Sequence, residues 1–273
     1  MAQIVAAYAA SHAPLILSAP EAAPDEQRRN LYDAFARLRE DFERARPEAL
    51  IVFANDHFTN LFFDNVPPFL VGIAEQHTGP VEDWLGVEKR RVPGFPNFAR
   101  WLVEQGSEQG FDLAFSEEVR FDHGIMVGLE FLDPEGRVPV VPIVQNCSID
   151  PMPAPRRCYE LGRFLRRAAE SFPGVERVAL LGQGGLSHWV GMARMGEIND
   201  AWDRRVLDML VRGEGELVAG WSHEQIEEAG NGAHEIRSWL TLAGAMEGRP
   251  AELLAYEPVA AWVTGMGVLR YAV

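Results

Sequence analysis

Seven histidines are few for a chain of 273 residues, and three of them share one setting. Ala49-Leu50-Ile51-Val52-Phe53-Ala54 runs apolar and stops at Asn55-Asp56-His57. Ile4-Val5-Ala6-Ala7-Tyr8 leads to Ser11-His12, and Val178-Ala179-Leu180-Leu181-Gly182 leads through Gln183-Gly184-Gly185-Leu186 to Ser187-His188. A neutral imidazole can ligate a metal, and it also takes or gives a proton near physiological pH. Two histidines with one carboxylate, leaving open positions, describe the facial triad of mononuclear non-haem Fe(II) oxygenases. The same ligand set serves catalytic zinc, so the ligands alone do not name the metal. The candidate carboxylates are Asp56 and Glu235. Asp56 adjoins His57, but successive side chains leaving a strand diverge. Glu235, near a helix start, also suits two blander roles: complementing the helix dipole, or closing a capping box back to Gly232.

The remaining candidates each have a plain alternative. His12, His57 and His188 would satisfy their turns by bonding backbone carbonyls if they did no chemistry. His123, in Phe121-Asp122-His123-Gly124, stands where a helix cap is wanted. His77 lies in a loop-like stretch and is expected to be exposed, and His223, among acids in a helix's first turn, is expected on the surface. Gly182-Gln183-Gly184-Gly185 lacks both the Lys-Ser/Thr of a P-loop and a full GxGxxG pattern, so it reads as a permissive turn presenting His188. Cys147 and Cys158 have no CxxC spacing and no visible base partner; they point to a reducing compartment and to buried, inert thiols.

The elements that must position these residues follow from periodicity. Short apolar runs bounded by turn residues read as strands buried on both faces, as in a parallel sheet. Residues just past such strands sit in the crevice where open α/β sheets bind ligands. Leu31, Phe35, Leu38 and Phe42 recur at helical spacing after Pro24-Asp25, and Pro47 ends that helix before the strand at 50–54. This is a βαβ unit. Residues 58–95 are rich in aromatics and prolines, with a strand near 69–73 and a long irregular piece suited to walling a pocket. Further helices are expected at 97–105, 125–131, 155–171, 199–212 and 233–246, with a short capped one at Ser222-His223-Glu224-Gln225. Val138 to Val144 reads as another strand, its prolines favouring an edge or a bulge, and two strands near 252–256 and 266–272 close the chain. The expected architecture is a single three-layer α/β domain over 1–273, its mostly parallel or mixed central sheet flanked by helices.

Composition narrows the function. A 47% hydrophobic content supports a large core, and a formal net charge of −15 argues against a nucleic-acid partner. Lys89-Arg90-Arg91 and the Arg163, Arg166, Arg167 group are short enough to be solvated faces. Met-Ala-Gln-Ile-Val lacks the pattern of a signal peptide, and no apolar run approaches the roughly 18 residues of a membrane span. A soluble, cytoplasmic protein without membrane contact is expected.

Five motifs occur in order: Ala10-Ser11-His12-Ala13-Pro14, Asn55-Asp56-His57-Phe58, Phe121-Asp122-His123-Gly124, Gly185-Leu186-Ser187-His188-Trp189, and Gly232-Ala233-His234-Glu235-Ile236-Arg237-Ser238-Trp239. Together they resemble the class III extradiol ring-cleavage dioxygenases, the superfamily of the protocatechuate 4,5-dioxygenase catalytic subunit. Asp56-His57 through Phe63, with Pro67-Pro68-Phe69, resembles the 2,3-dihydroxyphenylpropionate dioxygenase branch. The resemblance runs nearly end to end. It implies Fe(II) held by His12, His57 and Glu235, with His188 as acid/base, His123 as a second, substrate-side histidine, and Asp56 behind the ligands orienting one of them. It implies a small aromatic diol and O₂ as substrates, with the ring opened beside the diol. The alternative within the superfamily is a metal-binding scaffold or a zinc-hydrolase-like member without dioxygenase activity. A homo-oligomer is the expected assembly, with or without a small capping subunit of the kind some relatives use.

Overall fold

The computed structural model describes residues 2–273. In chain order the elements are β1 (Gln3–Ala10), α1 (Leu15–Ser18), α2 (Asp25–Ala45), β2 (Ala49–Asn55), β3 (Phe69–Gly72), β4 (Gln76–Gly79), β5 (Arg90–Pro93) and α3 (Pro96–Glu108). They continue with β6 (Ala114–Ser116), α4 (His123–Leu132), β7 (Val140–Gln145), α5 (Pro155–Ser171), β8 (Arg177–Gln183) and α6 (Asp200–Val211). The last are α7 (Gly215–Ala219), α8 (His223–Glu227), α9 (Ile236–Met246), β9 (Ala251–Val259) and β10 (Thr264–Tyr271). Among the described residues an eight-stranded mixed sheet runs β6-β3-β7-β2-β8-β1-β10-β9, and β4 and β5 form a separate ribbon.

Strand alternation divides the core. Ile51 and Phe53 of β2 and Leu180 of β8 face one layer, with Phe98 of α3, Phe164 of α5, Val206 of α6 and Trp239 of α9. Leu50 and Val52 of β2 and Leu181 of β8 face the other, with Leu31 and Phe35 of α2 and Leu129 of α4. Period-two side chains covered on both faces are why these strands read as continuous apolar runs. The layers are helix, sheet, helix, as expected for an α/β domain.

The central strands matter most for function. β7, β2, β8 and β1 are mutually parallel neighbours, so their C-terminal ends emerge side by side. β3 and β10 pair antiparallel to this core on either side. α9, buried along its whole length, lies across β8 and against α5. Glycines permit that crossing: a Cβ on Gly162 would meet the Thr241 carbonyl oxygen at 1.8 Å, and one on Gly244 the Tyr159 carbonyl oxygen at 1.9 Å.

Three expectations are corrected. The prolines of β7 do not place it at an edge, because it runs between β3 and β2. Pairing with β3 stops at Val71 and Ile143, so Pro142 lies one residue past the point where a missing N–H would cost a ladder bond. His77 is not exposed. It belongs to β4, is 1% exposed, stacks on Phe121 at 4.8 Å between ring centroids, and bonds the Val119 carbonyl through Nδ1 at 3.1 Å. The irregular reading of residues 74–95 missed the β4–β5 ribbon, whose short strands carry almost no periodic signal.

Candidate metal centre

His12, His57 and His188 follow the C-terminal ends of β1, β2 and β8, three adjacent parallel strands. Two helix starts complete the cluster. His123 opens α4, and Glu235 ends the 3-10 turn Asn231–Glu235 that leads into α9. Glu235 therefore reaches the strand ends because α9 packs over the sheet. The side chain closes no capping box with Gly232; it turns inward to the histidines.

The Glu235 carboxylate is the hub. Its Oε2 lies 3.2 Å from His12 Nε2, and its Oε1 lies 3.3 Å from His57 Nε2 and 3.7 Å from His188 Nε2. Oε2 also accepts from the Gly185 backbone N–H, and Oε1 from Asn55 Nδ2 at 3.1 Å. Burial by itself would raise the Glu235 carboxyl, but His12 and His188 beside it hold it well below the usual range. Burial lowers His12, against the opposing pull of Glu235, which keeps its imidazole neutral near pH 7. The His57 and His123 rings stack at 3.9 Å, and ring nitrogens of His12, His57 and His123 all lie within 4.8 Å of one another.

The hydrogen bonds fix the orientation of the His57 ring. Asp122 Oδ2 sits 3.2 Å from His57 Nδ1 and accepts the His57 backbone N–H at 2.9 Å. Asn55 Nδ2 lies 3.0 Å from His57 Nε2, and its amide cannot be reversed without facing its oxygen at Glu235. Burial disfavours a charged His57, but Asp122 and Glu235 beside it raise it well above its ordinary value. His57 Nε2 and Glu235 Oε1 face each other at 3.3 Å in a buried place, joined there by a shared proton. A divalent cation can take that proton's place, and a carboxylate on the far nitrogen is a usual support of a ligating histidine. The donor set fits a divalent metal with imidazole and carboxylate preference.

The other two histidines are held differently. His123 Nδ1 lies 2.6 Å from Glu82 Oε1, which also accepts the His123 backbone N–H at 3.1 Å. His188 Nδ1 donates to the Leu186 carbonyl at 2.9 Å. Its ring is wedged between glycines, since a Cβ on Gly232 would meet Nε2 at 2.0 Å and one on Gly185 would meet Cε1 at 2.4 Å. Neither glycine has the left-handed backbone of a permissive turn, so close approach, not flexibility, explains them. The turn itself is anchored through Ser187, which donates its N–H and its hydroxyl to Asp203, each at 2.8 Å.

Asp56 is a correction to the sequence reading. Its carboxylate accepts the backbone N–H groups of Thr59, Asn60 and Leu61 and shapes the loop after β2, rather than orienting a ligand. Asp122 is instead the carboxylate that bonds a histidine of the cluster, through Oδ2, while its Oδ1 caps α4 through the Gly124 N–H at 2.9 Å. Asn55 and Glu82, which bond to the cluster, were also missed. Asn55 and Asp122 stood inside quoted motifs, where a polar residue beside each histidine was the available signal. Cys147 and Cys158 are buried, and burial raises both thiols.

A cavity of about 700 Å³ opens over the cluster, a size usual for small-molecule sites. All five of His12, His57, His123, His188 and Glu235 line it, with Phe58, Trp189 and Trp262 among its apolar walls. No helix among the described residues is long and apolar enough to cross a membrane.

Comparisons with known proteins show the family. A protein of Rhodococcus jostii named 2,3-dihydroxyphenylpropionate/2,3-dihydroxicinnamic acid 1,2-dioxygenase is 28% identical, over 83% of this chain and 88% of its own length. A protein of the same name from Paraburkholderia phymatum is 29% identical, over 85% and 86%. In fold, the chain is similar to the crystal structure of the uncharacterized protein JW3007 from Escherichia coli K12, with a TM-score of 0.66 at 17% identity, covering 98% of this chain and 100% of that one. The family model described as the catalytic LigB subunit of aromatic ring-opening dioxygenase matches residues 6–267. Matched over nearly its whole length and carrying a buried histidine–carboxylate cluster at its parallel strand ends, the chain belongs to the LigB family of aromatic ring-opening dioxygenases.

Proposed function

We propose that this ring-opening dioxygenase uses Fe(II), held by His12, His57 and Glu235, to cleave a catechol beside its diol with O₂. The observation that carries the reading is the apposition of His57 Nε2 and Glu235 Oε1, with His12 Nε2 on the other carboxylate oxygen. Glu235 rather than His123 completes the set, because its two oxygens lie 3.2 and 3.3 Å from the ring nitrogens of His12 and His57. Fe(II), when bound, supplies the electron path between the electron-rich ring and O₂, a reaction that needs open coordination positions.

The chain's own residues supply the rest. His188 keeps Nε2 toward the centre while Leu186 holds Nδ1, so Nε2 is the atom that takes a proton from the catechol hydroxyl and returns it later. His123 presents its free ring edge to the same space, held by Glu82, and is placed to hydrogen-bond the substrate. Phe58, Trp189 and Trp262 exclude water around the ring.

The test is anaerobic loading with Fe(II) followed by O₂ uptake on a panel of catechols. The expected result is about one O₂ consumed per ring and a strongly coloured hydroxymuconic semialdehyde type of product. His12→Ala, His57→Ala and Glu235→Ala are expected to lose iron and turnover together. A zinc hydrolase would consume no O₂, and a scaffold would turn nothing over. A colourless cis,cis-muconate would mean cleavage between the hydroxyls and would overturn the reading.

A further inference from the structure

The cavity over the centre extends to residues that the ring-opening chemistry does not use: Asp150, His223, Glu227 and His234. His223, Glu227 and His234 offer ligand atoms within 4.8 Å of one another and would pass for a second metal site. Hydrogen bonding argues otherwise. Arg237, buried at 1% exposure, places Nη1 2.8 Å from His234 Nδ1, and a guanidinium can only donate. His234 Nδ1 is therefore unprotonated, and its N–H sits on Nε2, donating to Glu227 Oε2 at 2.5 Å. A ligating histidine instead donates from its far nitrogen. Arg237–His234–Glu227 is a polar chain that holds a carboxylate at the cavity wall. Although bonded at one oxygen, the Glu227 side chain remains 45% exposed.

Among the described residues, no Lys or Arg lines the cavity. Arg237 is spent behind His234, donating also to the Pro153 carbonyl at 2.8 Å. Arg194 lies over the Trp189 ring at 4.0 Å and pairs with Glu197 at 2.9 Å. Away from the centre the carboxylates on the cavity wall are Asp150 and Glu227, with the His223 imidazole 3.9 Å from Glu227 Oε2 and apolar Met152, Val190 and Met195 on the same wall. A substrate carboxylate entering here would lose water beside like charges, with no Lys or Arg to receive it and the one nearby imidazole, His223, already facing Glu227.

Resting on the proposed catechol cleavage, we infer that this enzyme takes catechols whose ring substituent is uncharged or cationic, and that Glu227 and Asp150 select against a carboxylate such as a propionate side chain. The substrate class of this chain then departs from the one printed in its relatives' names.

The test compares 3-(2,3-dihydroxyphenyl)propionate with its amide and with the corresponding primary amine, using the Fe(II)-loaded protein and unsubstituted catechol as reference. The expected kcat/KM for the propionate is lower than for the amide by about tenfold or more, with the amine at least equal to the amide. Glu227→Gln, which still accepts from His234, and Asp150→Asn are each expected to narrow the propionate-to-amide gap by roughly threefold. Anaerobic calorimetric titration of the same ligands gives affinities that do not depend on turnover, and the same order is expected. A propionate preferred over the amide, or a ratio unmoved by both variants, would overturn the inference. Absence of O₂ uptake with every catechol would instead overturn the catechol reading, while the titration would still decide the charge preference.

Discussion

His57 and His188 both follow a buried strand, yet their far nitrogens meet different partners. His57 has the Asp122 carboxylate and His188 the Leu186 carbonyl, and His188 Nε2 lies farther from Glu235 Oε1, at 3.7 Å against 3.3 Å. The difference predicts different consequences of removal. His188→Phe or His188→Ala is expected to keep near wild-type iron while lowering turnover by roughly 10²–10⁴-fold, the range for a lost general acid/base. Metal analysis of the purified variant beside its O₂ uptake checks this. Iron lost in step with activity would make His188 a ligand. At this scale the histidines and Glu235 were legible because their types are rare and each stands at an element's end. The residues that tune them were not. Asp122 meets His57 across 65 positions, Asn55 meets Glu235 across 180, and Glu82 meets His123 across 41, and no local pattern announces such pairings. Asp56 misled for the same reason: adjacency in sequence put it beside His57, but leaving a strand it points to its own loop.

Glu235 is placed by an element, not by its neighbours in sequence. α9 is buried all round, as an apolar helix must be when it crosses a sheet under a second helix. Its seat depends on Gly162 and Gly244, which bring the α5 and α9 backbones together. Gly244→Ala puts a methyl against the Tyr159 carbonyl and is expected to cost about 1–3 kcal/mol of stability, as overpacking does. The helix must shift to relieve the clash, so iron affinity is expected to fall with it. Urea titration read beside iron content tests the pair, and an unchanged midpoint would show that the crossing has slack. Periodicity disclosed α2, α5, α9 and the four central strands, because long regular segments repeat their signal. β4 and β5 were lost since four-residue strands in a ribbon barely repeat it, and β7 was read as an edge or bulged strand since proline's meaning depends on which amide the neighbouring strand needs.

For the whole molecule, the parallel core and its ligand crevice were readable from three apolar runs ending in histidine, but the order of the flanking strands was not, because pairing partners leave no trace in alternation alone. One buried acid ties those flanks together. Asp203 on α6 accepts two bonds from Ser187 beyond β8 and one from the Tyr256 hydroxyl of β9 at 2.9 Å, and a Cβ on Gly265 of β10 would meet its Oδ2 at 2.0 Å. Burial pushes its carboxyl up to about 6 from 3.8, only partly offset by the Ser187 and Tyr256 bonds. A carboxyl raised on folding favours the folded state while protonated, so its contribution is fully present below the unfolded value and is lost as pH rises through about 6. The penalty for holding it ionised at neutral pH is on the order of 3 kcal/mol. In Asp203→Asn the hydroxyls of Ser187 and Tyr256 can turn to accept from the new amide, and the titration disappears. The variant's stability relative to wild type is therefore expected to improve between pH 4 and pH 7 by up to roughly that amount. Denaturant unfolding of both proteins at the two pH values measures the difference directly, cancelling the other carboxylates. A difference that stays constant with pH would mean that Asp203 keeps an ordinary carboxyl and that the junction of α6, β8 and β9 is wetter than its burial implies.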